Sequence, residues 1–317
     1  MWSLSEPTKS AKQIRALSLY MGKDLPALTL LKVYQKYITD KKECWNGTPK
    51  QLAKNTIQRW YNCMKYLSEF LKDKDMELNE IDIDFGHRLY LYLIKKKQRR
   101  NTEKKIGHDY AVRNLTYLSE VLDFAKRKTY IIANPLDIEE YKRNPPKEIE
   151  SLTQNELQTL AGFQFTGILE DARITFLAMA YSGLNHCDLH YLERIKDSES
   201  IVLKIDRQKN LKRYTDKAII PILPELRKLL EAINYQLPSH DINVINRHLH
   251  VFEGLLCVDI SITTYTARKT AGMLLSERGV SIDVVSKILG HTSIITTQRH
   301  YLKVVEKRVL AETKHLM

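Results

Sequence analysis

A proline-rich break near the middle of the chain constrains its fold most, running from Asn134-Pro135 to Asn144-Pro145-Pro146-Lys147. Proline fixes φ, lacks the N–H that a helix or inner strand needs, and pushes the preceding residue out of the helical region. No regular element runs through such a stretch, so residues 134–150 read as a linker between two domains. At 317 residues, each half is long enough to bury a core of its own.

The two halves carry different periodicities. Ahead of the break, Leu28, Leu31, Tyr34, Gln35 and Ile38 begin one helical stripe, and Ile57, Trp60, Tyr61, Met64, Leu67 and Leu71 make a second. Phe85, Leu89, Leu93 and Ile94 form a third, and Tyr110, Leu115, Leu118, Val121, Leu122 and Ala125 a fourth. Residues 26–133 therefore predict a bundle of four amphipathic helices behind a polar tail over 1–25. After the break, Thr153 and Glu156 stand at capping-box spacing and open a new domain over 151–317. Ser200–Ile205 and Lys217–Ile222 are β-rich and separated by a polar run, the pattern of a hairpin. Helices are expected to resume at about 224–235, 265–278, 281–289 and 296–310. The fold class is mainly α with a small β-hairpin: a helical bundle followed by a mixed α+β domain.

Charge narrows the function. The net charge is +12 and the pI near 9.3, with most of the excess in the first 150 residues. That balance points to a polyanion, nucleic acid before membrane. Between the third and fourth helices, Lys95, Lys96, Lys97, Arg99, Arg100, Lys104 and Lys105 put seven cations in eleven residues, a natural phosphate-contacting loop. The four cysteines are scattered without a Cys-x-x-Cys pair, so neither a zinc ribbon nor a disulfide framework is expected. No metal or cofactor is called for. Met1-Trp2-Ser3-Leu4-Ser5-Glu6 lacks the charged and apolar regions of a signal peptide, and no apolar run reaches membrane-spanning length. The expected setting is the cytoplasm, on the nucleoid when DNA is bound, with no membrane partner.

The most specific motif lies near the end: Leu289-Gly290-His291, then Thr296-Thr297-Gln298-Arg299-His300-Tyr301. Val284, Val285, Ile288 and Leu289 fall at helical spacing behind Ser281 as an N-cap, and Gly290 is the expected helix stop. Thr296 or Thr297 is expected to cap the next helix. Such an arrangement can bring an imidazole and a phenol to one site, and both can do phosphate chemistry.

This run resembles the signature of the tyrosine recombinases, the phage-integrase and Xer-type family. The resemblance implies a helical, SAM-like core-binding bundle over 26–133 and a catalytic domain over 151–317 whose tail docks on a neighbouring subunit. It implies that Tyr301 attacks DNA to form a 3′-phosphotyrosine, with His291 on the scissile phosphate. Arg268, in Thr264-Tyr265-Thr266-Ala267-Arg268, matches the arginine of the His-x-x-Arg box, where a guanidinium can grip two phosphate oxygens. Lys209, after the first hairpin strand, matches the lysine that protonates the leaving oxygen; Lys212 and Arg213 are near alternatives. Two positions depart from the family. Asn185, in Ser182-Gly183-Leu184-Asn185, replaces the first arginine, although Asp188 retains the acidic residue that supports it. Tyr265 replaces the histidine of the box, in an orienting role. Arg173 and Arg213 are candidates to make up the missing charge. The implied function is site-specific recombination, as the integrase of a mobile element. It implies a tetramer on two duplexes of double-stranded DNA, with accessory DNA-bending proteins as further partners. The alternative is a catalytically weakened relative that binds DNA.

Overall fold

The computed structural model describes residues 28–48, 51–96, 105–145, 150–196, 200–206, 217–291 and 294–301, together with Thr313. The chain divides after Pro146 into two compact units.

The first unit contains α1 (Leu30–Trp45), α2 (Lys54–Phe70), α3 (Phe85–Lys95) and α4 (His108–Arg127). The four expected stripes supply its core: Tyr34, Ile38, Trp60, Leu67, Phe85, Leu89, Leu93, Leu115, Leu118 and Leu122 are all buried. Two details differ. On α1 the buried face runs through Val33 and Tyr37, which leaves Gln35 exposed. On α4 Ala111 is buried where Tyr110 stands 40% exposed, because the face turns one residue later. Tyr37 meets Trp60 and Phe124 edge-on, with ring centroids 5.1 and 5.5 Å apart. Such pairs add about 0.5–1.5 kcal/mol each beyond their burial.

The proline-rich stretch is not a free-standing linker over its first part. The Asn134 amide donates to Ser119 Oγ and Asp123 Oδ1, both at 2.9 Å, and Leu136 is buried against the bundle core. Further along, the Lys142 carbonyl lies 2.8 Å from His108 Nε2, and the Asn144 N–H donates to Asp109 at 2.9 Å. Leu136, Ile138 and Tyr141 give the stretch an apolar edge, so it lies along the bundle up to the boundary at Pro146.

The second unit contains α5 (Gln154–Gly162), α6 (Gly167–Ser182), a 3-10 segment (His186–Ile195), β1 (Val202–Ile205), β2 (Ala218–Pro221), α7 (Pro224–Ala232), α8 (Ile242–Leu249), α9 (Val251–Leu255), α10 (Thr264–Glu277), α11 (Ile282–Leu289) and α12 (Ile294–Tyr301). The Thr153–Glu156 capping box forms as expected. The strands pair antiparallel, Val202 opposite Pro221 and Ile205 opposite Ala218. At the centre runs α6, whose residues Ala172–Ser182 are all buried, with α7, α8 and α10 packed around it. Ser281 takes the N-cap position of α11, where its carbonyl accepts from the Val285 N–H at 2.9 Å but its side chain makes no capping bond, and Val284 is exposed.

Candidate active site

Two helices of the second unit stop on glycines in the left-handed region. Gly183 ends α6 at φ +69° and Gly290 ends α11 at φ +59°, a conformation that costs a side-chain-bearing residue steric strain. Gly183 is also a point of close approach, since a Cβ there would lie 2.9 Å from Leu289 Cδ2. The carbonyl ends of both helices thus converge, and each is the negative pole of its helix. Arg268 answers both. Its Nη1 donates to the Gly183 carbonyl at 2.7 Å, and its Nη2 donates to the Leu289 carbonyl. What aims Arg268 is α10, which starts in a capping box between Thr263 and Thr266 and buries Ala267, Ala271, Leu274 and Leu275.

The chain leaving each glycine stop carries a residue singled out above. Beyond Gly183, the Asn185 amide lies 3.4 Å from the carboxylate of Asp188, which is fully buried. Beyond Gly290, the His291 N–H donates to the Ser286 carbonyl at 3.0 Å, and its ring Nδ1 lies 2.7 Å from Thr297 Oγ1. Thr297 is fully buried. It does not cap α12, because the helix begins earlier, at Ile294, and leaves its hydroxyl to orient the imidazole. Sequence reading missed that role, for which the six-residue spacing was the only available signal. Tyr301 is the last residue of α12, one helical turn after Thr297.

Asn185, His186, His240, Asp241, Tyr265 and Arg268 are among the residues lining one open cavity of about 540 Å³. Tyr265 is 61% exposed, with the Lys269 ammonium 4.6 Å from its ring centroid. Burial holds the His186 imidazole below its ordinary pKa, and the Asp241 carboxylate opposes that shift. Burial likewise lowers Lys269 against the opposing influence of Glu150. Among the described residues, no group of three or more His, Cys, Asp or Glu is arranged to hold a metal ion.

Two family models match in succession. Residues 29–143 match the phage integrase SAM-like domain, and residues 190–308 match the phage integrase family. The chain belongs to the phage integrase family. Its members are tyrosine site-specific recombinases. No curated protein matches the chain in sequence. Among solved structures, the Tn1549 transposon integrase in complex with transposon right end DNA is 14% identical, covers 89% of this chain and 98% of its own, and gives a TM-score of 0.64. A lambda integrase dimer bound to a COC′ core site is 15% identical over 86% and 95% of the two chains, with a TM-score of 0.64. XerH bound to a palindromic difH substrate is 11% identical over 88% and 84%, with a TM-score of 0.62. At such identities the likeness concerns the fold.

Lys209, Lys212 and Arg213 lie outside the described residues, as do Lys97, Arg99, Arg100 and Lys104 and the side chain of Tyr301. The basic loop is closed at its foot by a bond from the Ile106 N–H to the Lys96 carbonyl, 2.9 Å long. Lys95 is exposed there, whereas the Lys96 ammonium is engaged by Glu69 and by the Tyr92 hydroxyl. Arg173 does not replace the missing arginine. It is 8% exposed, and its guanidinium is bound by the Glu170 carboxylate and the Ala161 carbonyl. From Arg173 the helix runs nine more positions to Ser182, a rise of roughly 14 Å, before the chain turns at Gly183 toward Asn185.

Proposed function

We propose that this chain is a site-specific DNA recombinase, the integrase of a mobile element. It cuts and rejoins DNA through a phosphotyrosine on Tyr301. The observation that carries the reading is Arg268, held between two helix ends that lead directly into Asn185 and His291. A guanidinium fixed by two carbonyls is preorganised, and preorganised donors stabilise developing phosphoryl charge without reorganising during reaction.

In this mechanism the Tyr301 oxygen attacks the scissile phosphorus and its phenol proton passes to solvent as the new O–P bond forms. The bond to the 5′-oxygen breaks, and that oxygen takes a proton from Lys209 as general acid. Arg268 and His291 offset charge on the non-bridging oxygens, with Thr297 fixing the imidazole's orientation. Tyr265 contributes a hydroxyl at the cavity wall. A 5′-hydroxyl from a second strand then attacks the phosphotyrosine, giving its proton back to Lys209, and the departing Tyr301 oxygen is reprotonated from solvent. Strand exchange of this kind requires a tetramer on two duplexes, and accessory DNA-bending proteins are candidate partners. Lys95, Lys97, Arg99, Arg100, Lys104 and Lys105 contact DNA phosphates, while Lys96 braces the foot of the loop through Glu69 and Tyr92. The protein works in the cytoplasm, on the nucleoid; among the described residues no helix is long and apolar enough to cross a membrane.

One observation favours a second reading, a weakened relative that binds DNA. The Asn185 amide is uncharged and faces Asp188, and loss of a charge-assisted phosphate contact costs roughly 2–4 kcal/mol of transition-state stabilisation. A single assay separates the readings. A nicked duplex, selected from a randomised pool by binding to the Tyr301→Phe protein, is incubated with wild type, and covalent adduct is counted. Adduct that disappears in Tyr301→Phe supports the recombinase; tight binding without adduct supports the weakened relative.

A further inference from the structure

The site lacks two groups at once: a cation at Asn185 and an imidazole at Tyr265. The residue next to Asn185 is itself an imidazole. His186 opens the 3-10 segment that follows Asn185, is half-buried, and lines the same cavity as Tyr265 and Arg268. Among the described residues its ring makes no hydrogen bond, although an imidazole carries a donor or acceptor at each nitrogen. A half-buried ring with no hydrogen bond to the described residues, in a cavity that Arg268 also lines, is placed to donate to an oxygen of a ligand.

We propose that His186 is a phosphate ligand of this site, its imidazolium donating to a non-bridging oxygen beside Arg268 and supplying the charge that Asn185 lacks. The proposal rests on the recombinase reading and deepens it. Charged and titratable groups line the cavity with His186 from each neighbouring element: Asp241 at the start of α8 with His240 before it, Tyr265 and Arg268 from α10, and Cys187 from its own segment. His240 is occupied, with its Nε2 2.8 Å from Asp171 Oδ2. Burial opposes the imidazolium and outweighs Asp241, which favours it, so the ring is neutral more readily in the free protein than an exposed histidine. An entering phosphodiester adds negative charge and tips the balance toward protonation. Cleavage then carries a requirement for protonated His186 and declines on the alkaline side of its pKa in the complex.

The test measures single-turnover adduct formation on the selected nicked duplex from about pH 5.5 to 8.5, for wild type, His186→Ala, His186→Gln and each change combined with Asn185→Arg. Thermal unfolding of every variant confirms that it is folded. The expected result is a loss of about tenfold to a hundredfold in His186→Ala, with the alkaline-side decline abolished. Asn185→Arg restores the rate in either background and makes it insensitive to residue 186. Wild-type rate and profile in folded His186→Ala would overturn the proposal. So would a slow variant that keeps the alkaline decline and is not rescued by Asn185→Arg, since that pattern marks a packing role. If wild type forms no Tyr301-dependent adduct, the recombinase reading fails on its own. His186 is then read directly by NMR titration of its ring in Tyr301→Phe, with and without the same duplex. A pKa raised by DNA supports a phosphate ligand, and an unchanged one refutes it.

Discussion

Gly183→Ala tests whether two helix ends must meet at Gly183 for the site to form. Two separate costs follow from the geometry. The backbone at φ +69° is left-handed, which disfavours alanine by about 1–2 kcal/mol. The new methyl would also sit 2.9 Å from Leu289 Cδ2. Leu289 is fully buried, so it cannot swing into solvent, and overpacking of this kind costs about 1–3 kcal/mol. Together they predict roughly 2–5 kcal/mol of destabilisation, a fall in Tm on the order of 5–20 °C for a unit of this size. Thermal and urea unfolding of the intact chain measure it. The two costs separate in a double-mutant cycle, because Leu289→Ala removes the atom that is struck but leaves φ unchanged. The double variant should be more stable than the sum of the single effects by at least about 1 kcal/mol. A Gly183→Ala protein within about 0.5 kcal/mol of wild type, or strict additivity with Leu289→Ala, would refute the close approach.

Other consequences can be checked alongside it. Arg268→Lys cannot reach both carbonyls with one ammonium, so it should lose about 1.5–3 kcal/mol of stability and at least about a hundredfold in adduct formation, both measured on the same preparation. Thr297→Val keeps the buried volume but removes a hydroxyl from His291; adduct formation should fall about tenfold, and an unchanged rate would dismiss Thr297 as an orienting group. Lys95→Ala should reduce the salt slope of DNA binding by about one unit. Lys96→Ala should act mainly on stability through its contacts with Glu69 and Tyr92, as denaturant titration will report. The Arg173 guanidinium holds the Glu170 carboxyl below its ordinary 4.5. A depressed carboxyl stabilises the fold fully above that value and loses the contribution as pH falls through its folded pKa. Arg173→Met should therefore cost roughly 3 kcal/mol near neutrality and flatten the acid-side dependence of stability below about pH 4.5, without altering the Tyr301 adduct rate of the folded fraction.

How much the chain disclosed in advance depended on whether an element faces water on one side. The bundle helices do, and their stripes at Leu67, Leu89 or Leu118 could be read directly. So could the hairpin, where the buried Ile205, Ala218 and Ile220 alternate with more exposed neighbours. By contrast, α6 is buried on every side from Ala172 to Ser182, so no polar face marks its rotation. The short helices α8 and α9 went unread as well. In the site, the motif residues Arg268, His291 and Asn185 were visible through their neighbours in sequence. What joins them was not. Carbonyl oxygens from Gly183 and Leu289 have no side-chain signature, and Thr297 looked like a helix cap until the start of α12 was fixed at Ile294.

The account turns on Tyr301 as a nucleophile served by Arg268 and His291. Denaturing electrophoresis of wild type, Tyr301→Phe and Arg268→Ala after incubation with the labelled nicked duplex tests it most directly. The account predicts a protein–DNA adduct in wild type, none in Tyr301→Phe, and little in Arg268→Ala, with a peptide carrying phosphate on Tyr301 recovered from the wild-type band. An adduct that persists in Tyr301→Phe, or maps to another residue, contradicts it.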